Sequence, residues 1–369
     1  MNEDRAARYH RLRRRLAVLS TALGAGGLIA FLVSGWSVRL AAWSSGVAGA
    51  AVAIAIFTAV VVMGWELISL PLAFVRSFLL DRKYGLSSET VGTWAFDHAK
   101  ALVIGSFLTI VAAIAVYSSM ALWPRAWWVV ATGLFAVAAM VFSRIAPVVL
   151  MPVFYRFTPL ERESLRDRLL AMSQRAGIPV LGVFEWGLGQ KTTRANAALV
   201  GMGRTRRILV SDTLLKDYSD DEVEVILAHE LAHHVHHDLW TGLGVETAIA
   251  GASLAASDAA LRWFGASFGI AHPSDVAGLP LLVLAGGTMS LLLTPLANAW
   301  SRRNERRADR FALDLTGRPA PFISAMRRLG AQNLAEQRPS RPAFWFFHTH
   351  PTIEERIAAA RPFTSSEAN

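Results

Sequence analysis

Five consecutive residues, His229-Glu230-Leu231-Ala232-His233, carry the densest chemistry in the chain. On a helix, positions i and i+4 share a face, so the two imidazoles would point at one spot. Two imidazoles at that spacing suit zinc, and a carboxylate beside them can serve a metal-bound water as general base. A catalytic site of this kind takes one Zn2+ ion, three protein ligands and an open position for water. The chain has no cysteine, so the third ligand must be His, Asp or Glu. Residues 301–314 read as a helix in which Glu305 and Asp309 are four apart, with Ala308 and Ala312 permitting close approach of a second helix. That spacing assigns Glu305 as the third ligand, and Asp309 as the acceptor that orients a ligand imidazole through its free N–H. Glu230 would take a proton from water and deliver it to a leaving amine. The developing oxyanion needs a donor, for which His350 in HTHPTIEER and Arg356 are the candidates.

The elements that must position these residues are unusually apolar. Of 369 residues, 53% are hydrophobic and 18% charged, with a mean hydropathy of +0.36. Such values point to a polytopic membrane protein with one polar domain of moderate size. Six segments are long enough to cross about 30 Å of hydrocarbon, near 16–36, 46–66, 101–122, 127–150, 239–264 and 278–300. Arg5, Arg8, Arg11, Arg13, Arg14 and Arg15 precede the first span. Arg76, Arg82, Lys83 and Lys100 lie between the second and third, and the stretches 152–238 and 302–369 are rich in Arg. The remaining short connections carry one basic residue each. This alternation expects both termini and the catalytic region in the cytoplasm. It also accounts for the net charge of +9 without a nucleic-acid partner, since no basic-aromatic groove pattern occurs. The N-terminal apolar run is too long for a cleaved signal core and reads as an anchor.

The fold class expected is therefore mainly α: a polytopic membrane helix bundle of about six spans with a small α/β zinc-metallopeptidase domain at the cytoplasmic face. Residues 1–150 form an N-terminal transmembrane region of about four spans. Residues 151–238 form a cytoplasmic α/β segment with the HELAH helix, and 239–300 two further spans. Residues 301–369 form a C-terminal helical segment with the third ligand and the His350-Pro351 motif. Within 152–238, an amphipathic helix at 161–176 and strands at 179–186, 196–200 and 206–211 are expected. Ser219 or Asp220 caps a helix with Asp221 and Glu222 in its first turn. That helix is expected to run through the HELAH pentapeptide into the fifth span.

The motifs as a set resemble those of integral-membrane zinc metalloendopeptidases of the gluzincin type, specifically the type I CAAX prenyl endopeptidases. The similarity spans roughly 66–357. It comprises YGLSSET at 84–90, IAPVVLMPVFYRFTPLERESL at 145–165, RANAALVGMGRTRRILVSDTLL at 194–215, HELAHH at 229–234, SRRNERRADRFA at 301–312 and HPTIEER at 350–356. The resemblance implies His229, His233 and Glu305 as zinc ligands and Glu230 as catalytic base. It places Asp309 behind the ligands and His350 at the substrate or oxyanion, with Arg356 carried over as a substrate contact. Asn196 and Ala197 match the family's edge strand, which holds extended substrate by backbone pairing. Eukaryotic members have seven spans enclosing a chamber, against six counted here. Asp238 stands where many relatives have His, and His234, His236 and His237 are surplus to the pattern.

The expected partners are a peptide or membrane-protein substrate, C-terminally lipidated if the resemblance extends so far, and the lipid bilayer. The Ala- and Arg-rich composition and short loops suit a bacterial cytoplasmic membrane. Two other functions fit the same sequence: turnover of membrane proteins without prenyl specificity, and a non-enzymatic transporter or sensor with a structural zinc site. The step Gly187-Leu188-Gly189-Gln190-Lys191-Thr192 resembles a phosphate loop interrupted by Gln190, and reads as a turn. His98 and His272 read as isolated interfacial residues.

Overall fold

The computed structural model describes residues 2–47 and 49–366. The N-terminal part is helical: α1 Asn2–Val33, α2 Trp36–Val47, α3 Ala50–Phe74, α4 Leu80–Lys83, α5 Val91–Leu122, α6 Trp127–Ile145 and α7 Met151–Phe154. Single π-type turns splice α3 to α4 and α6 to α7. A small sheet and its helices follow, with β1 Phe157–Pro159, α8 Glu163–Arg175, β2 Val183–Trp186, β3 Ala197–Val200, β4 Arg207–Ser211 and α9 Asp212–Asp217. The last part comprises α10 Asp220–Val235, α11 Asp238–Phe264, α12 Leu279–Thr316, α13 Pro319–Gln332, α14 Arg341–Phe347 and α15 Ile353–Ser366.

Five helical runs among the described residues are long and apolar enough to cross a membrane: Arg5–Val33, Ala50–Lys83, Val91–Leu122, Trp127–Phe154 and Val276–Thr316. They cover five of the six expected spans. At the remaining expected span, the fifth in order, lies α11, a 27-residue helix, about 40 Å long. It is diluted by Glu246, Ser253, Ser257 and Asp258, and two of these find partners on neighbouring helices. Ser257 donates to the Leu282 carbonyl at 2.9 Å, and Asp258 accepts from the Trp127 indole at 2.6 Å. Glu66 does not mark the end of its span, because α3 continues past it, and its carboxylate lies 2.6 Å from His98 Nε2. His98 is therefore paired, not isolated as its sequence context suggested. Helix α2, at 12 residues, is too short to cross.

The four strands are ordered β1-β2-β4-β3, with β2 and β4 parallel and the outer pairs antiparallel. Strand β3 is thus an edge. One core lies between the sheet and the helices, built by Leu165, Leu169, Ile208, Val210, Val223, Leu227, Leu231 and Phe322. A second, with Phe57, Tyr117, Met120, Trp127 and Leu261, sits among the spans. The charged start of α1 is attached to the polar part of the molecule. Tyr9 donates to Asp81 at 2.7 Å, and Arg14 pairs with Glu336.

Candidate active site

Helix α10 begins with a reciprocal cap. The Ser219 amide donates to the Glu222 carboxylate at 2.9 Å, and the Glu222 amide donates to the Ser219 hydroxyl at 3.3 Å. The helix is buried along most of its length, with Val223, Val225, Leu227, Ala228, Leu231 and Ala232 in the interior, which makes it a core helix. It does not run on into the fifth span as the sequence suggested. It stops at Val235, and His237 adopts φ 57° before α11 starts at Asp238. A non-glycine residue in the left-handed region costs conformational energy and redirects the chain. The break turns the Asp238 carboxylate back onto the preceding helix, 2.9 Å from His233 Nδ1.

Helix α12 supplies the opposing wall. Its 38 residues form one element, about 57 Å long, so the stretch beyond the apolar half projects as a rigid continuation of the span. Asn298, Arg302, Glu305 and Asp309 are all buried on it, at spacings of four, three and four that keep them on one face. Ala308 and Ala312 are fully buried and allow α10 to approach. The upper part of this stripe holds the segment before His350. Asn298 donates to the Trp345 carbonyl at 2.9 Å, and Arg302 to the His348 carbonyl at 2.7 Å. The Arg302 guanidinium also lies over the Phe344 ring, 4.4 Å from its centroid.

Between these helices, His229, His233 and Glu305 each offer a donor atom, all within 4.8 Å of one another. His229 Nε2 is 3.1 Å from Glu305 Oε2, and His233 Nε2 is 3.5 Å from Glu305 Oε1. Although buried and that close to an imidazole, Glu305 Oε2 makes no hydrogen bond. A buried carboxylate oxygen without a partner is costly, and a cation at the common point would satisfy it. Nitrogen and carboxylate donors without thiolate fit zinc in a three-ligand, open site. The residues present thus fit the metal.

Both imidazoles of this candidate metal site are oriented from behind. His229 Nδ1 lies 2.9 Å from Asp309 Oδ1, and Arg356 on α15 grips Asp309 through Nε at 2.9 Å and through Nη2. His233 Nδ1 is held by Asp238, which is paired with Arg307. In each case the Nδ1–H donates to a carboxylate, leaving Nε2 to face the metal position. Asp238 was passed over in the sequence because it lies across a chain reversal that helical spacing does not show. Its five-residue offset from His233 was the only available signal.

Glu230 is partly buried beside the two ligands, and burial raises its carboxyl pKa above the ordinary value. His350 is exposed, with Nε2 3.4 Å from Glu305 Oε1. Its Nδ1 is 2.8 Å from the Thr349 hydroxyl. Arg356 faces Asp309 and His229 rather than open space, with its side chain only 10% exposed. Asn196 precedes the edge strand and Ala197 begins it. The Asn196 carbonyl accepts from the Ser211 amide at 2.9 Å, so the register turns the backbone groups of Ala197 and Leu199 outward. The glycine loop at 187–192 contains an internal anion, because the Leu188 and Gly189 amides donate to Asp212 at 3.0 and 2.9 Å.

Comparisons with known proteins cover both the membrane and the polar parts of the chain. Residues 159–364 match peptidase family M48, and residues 2–156 match the CAAX prenyl protease N-terminal region described as five membrane helices. An uncharacterized metalloprotease, YhfN, of Bacillus subtilis is 28% identical over 298 residues, covering 80% of this chain and 70% of the relative. A probable CAAX prenyl protease 1 of Schizosaccharomyces pombe is 27% identical over 300 residues, covering 80% and 62%. The crystal structure of S. mikatae Ste24p superposes with a TM-score of 0.86 at 20% identity, over 97% of this chain and 89% of that one.

Proposed function

Because the chain belongs to peptidase family M48, and is a multi-pass membrane metalloprotease similar to the CAAX prenyl proteases, we propose that it is a zinc-dependent endopeptidase acting at the cytoplasmic membrane face. The observation that carries this reading is the convergence of His229, His233 and Glu305 within 4.8 Å, with Glu230 next to the first ligand on the same helix. The basic residues flanking the spans support the cytoplasmic assignment, in a bacterial membrane given the Ala- and Arg-rich composition.

In this reading His229, His233 and Glu305 hold one zinc ion. When bound, zinc lowers the pKa of a coordinated water toward about 7 and polarises the scissile carbonyl. Glu230 takes the proton of the attacking water and hands it to the leaving amine. His350 is placed to donate from Nε2 to the oxygen that gains charge. Asp309 and Asp238 keep both ligand imidazoles in the tautomer that presents Nε2. Arg356 acts by fixing Asp309, through which it reaches the ligand. Asn196 and Ala197 open the edge to an extended peptide, which would add as a further strand.

The proposed substrate is a peptide or membrane protein cut near a C-terminal lipidated residue, as the relatives named CAAX prenyl proteases suggest. Glu230→Gln should retain zinc and abolish peptide cleavage, read as metal content alongside hydrolysis of a quenched fluorescent peptide. Full activity in that variant would remove the mechanism. Matched prenylated and unprenylated peptides test the substrate, and equal cleavage would favour general turnover of membrane proteins.

A further inference from the structure

A cavity of about 480 Å³ opens beside the ligand His233. Its wall comprises Arg144 and Val148 from the end of α6 and its extension, Met202, Gly203, Thr205 and Arg206 from the β3–β4 turn, and His233, His234, His237, Leu239 and Trp240. Among the described residues, two arginines and three histidines line it, and no carboxylate does. Three other arginines near the active site are engaged. Arg302 is on carbonyls, Arg307 on Asp238 and Arg356 on Asp309. Among the described residues, the Arg144 and Arg206 side chains make no hydrogen bond or ion pair, and Arg206 Nε is buried without a partner.

The edge strand leads to this place. Its outward groups are those of Ala197 and Leu199, but the Leu199 carbonyl is occupied by His234 Nε2 at 2.9 Å. At the other end, the Ala195 amide and carbonyl are taken by the Asn333 side chain. Strand-like pairing with a peptide is therefore confined to both groups of Ala197 and the amide of Leu199. Beyond Leu199 a bound peptide leaves the strand and meets the cavity.

We propose that Arg144 and Arg206 form a subsite for a carboxylate of the substrate peptide, resting on the peptidase reading above. Guanidinium groups pair with carboxylates through charge-assisted hydrogen bonds, and His233, read above as a metal ligand, lies on the wall of this cavity. Strand direction separates the two sources of that carboxylate. A peptide antiparallel to β3 has its N-terminal side toward the β3–β4 turn and would present an acidic side chain upstream of the cut. A parallel peptide would present its own C-terminal carboxylate.

The test uses the full-length zinc-loaded protein in detergent and matched quenched peptides. One pair differs in C-terminal acid against amide, the other in Glu against Gln upstream of the cut. Cleavage of the neutral member reports on the peptidase reading, and the ratio within a pair reports on the subsite. Binding of the same pairs to Glu230→Gln gives the ratio without turnover. For one of the two pairs, the acid form should be favoured about tenfold in kcat/KM, mainly through KM. The preference should fall to near unity in Arg144→Gln/Arg206→Gln and be partly retained in Arg206→Lys. A ratio within each variant is insensitive to how much of it folds. A ratio of one for both pairs in the unsubstituted protein overturns the proposal, as does a preference surviving the double substitution. Stimulation by phosphatidylglycerol vesicles that the double variant loses, with both peptide ratios at one, would assign the arginines to lipid instead.

Discussion

The two imidazoles of the proposed metal site, His229 and His233, are supported by the same chemistry in different surroundings. Behind His229 stand Asp309 and Arg356, with side chains 4% and 10% exposed. Behind His233 stand Asp238 and Arg307, with side chains 9% and 47% exposed. The first support joins helices α10, α12 and α15, which are remote in sequence. The second crosses only the break between α10 and α11 before reaching α12. In the buried set each member depends on the others, since an unpaired charge there has no water to turn to. In the exposed set, solvent can replace the arginine. The pair of ligands is therefore symmetric in role and asymmetric in sensitivity.

Removing the group that both sides share should have the largest effect. Glu305 faces both imidazoles, so Glu305→Ala is expected to lose the metal and all peptide hydrolysis. Stoichiometric zinc in that variant, measured by elemental analysis, would reject the ligand assignment. Next is Asp309→Asn, which keeps the shape of the side chain but leaves Arg356 buried against a neutral amide. Loss of a carboxylate behind a metal ligand costs about 10–100-fold in metal affinity or activity, and the buried position puts this variant at the upper end. Asp238→Asn removes the equivalent charge where the arginine is half exposed, and should lie at the lower end. Competition with a chromophoric chelator would rank the two, and equal losses or the reverse order would dissolve the asymmetry.

The arginines sharpen the contrast in stability. Arg356→Ala strands the Asp309 carboxylate in the interior, a change that costs on the order of 3–5 kcal/mol. It should appear as a large fall in thermal midpoint of the detergent-solubilised protein, together with weaker metal binding. A small fall would mean that water reaches Asp309 after all.

These supports also mark how far the sequence can be read. Local spacing revealed His229, Glu230 and His233, because one helical turn places them. It also revealed Glu305 and Asp309 as a second pair on one face. The strands at β2, β3 and β4 followed from short apolar runs between turns, and the three-residue β1 was too short to show. Asp238 was hidden because its approach to His233 depends on one residue, His237, taking a left-handed conformation, for which histidine gives no strong signal. The Arg356 contact with Asp309 spans 47 positions, and only the packing of α15 on α12 and α13 decides it. The fifth expected span, α11, shows the converse. It was counted as a span despite its polar residues, and the partners of Asp258 and Ser257 lie on α6 and α12, where no local pattern records them.

The smallest effect should come from Arg307→Ala. Its partner Asp238 keeps the bond to His233 Nδ1, and water can solvate the carboxylate edge the guanidinium leaves. An ion pair with one exposed member contributes about 0–1 kcal/mol, so metal affinity should fall no more than a few-fold. The distinguishing feature is salt. In the unsubstituted protein, raising ionic strength from about 0.05 to 0.5 M screens the Asp238–Arg307 pair and should weaken metal binding slightly. Arg307→Ala should have lost that dependence, whereas the Asp309–Arg356 pair is shielded from salt by burial. A salt dependence that persists in Arg307→Ala and vanishes in Arg356→Ala would place the solvent-coupled support behind His229 and invert the comparison.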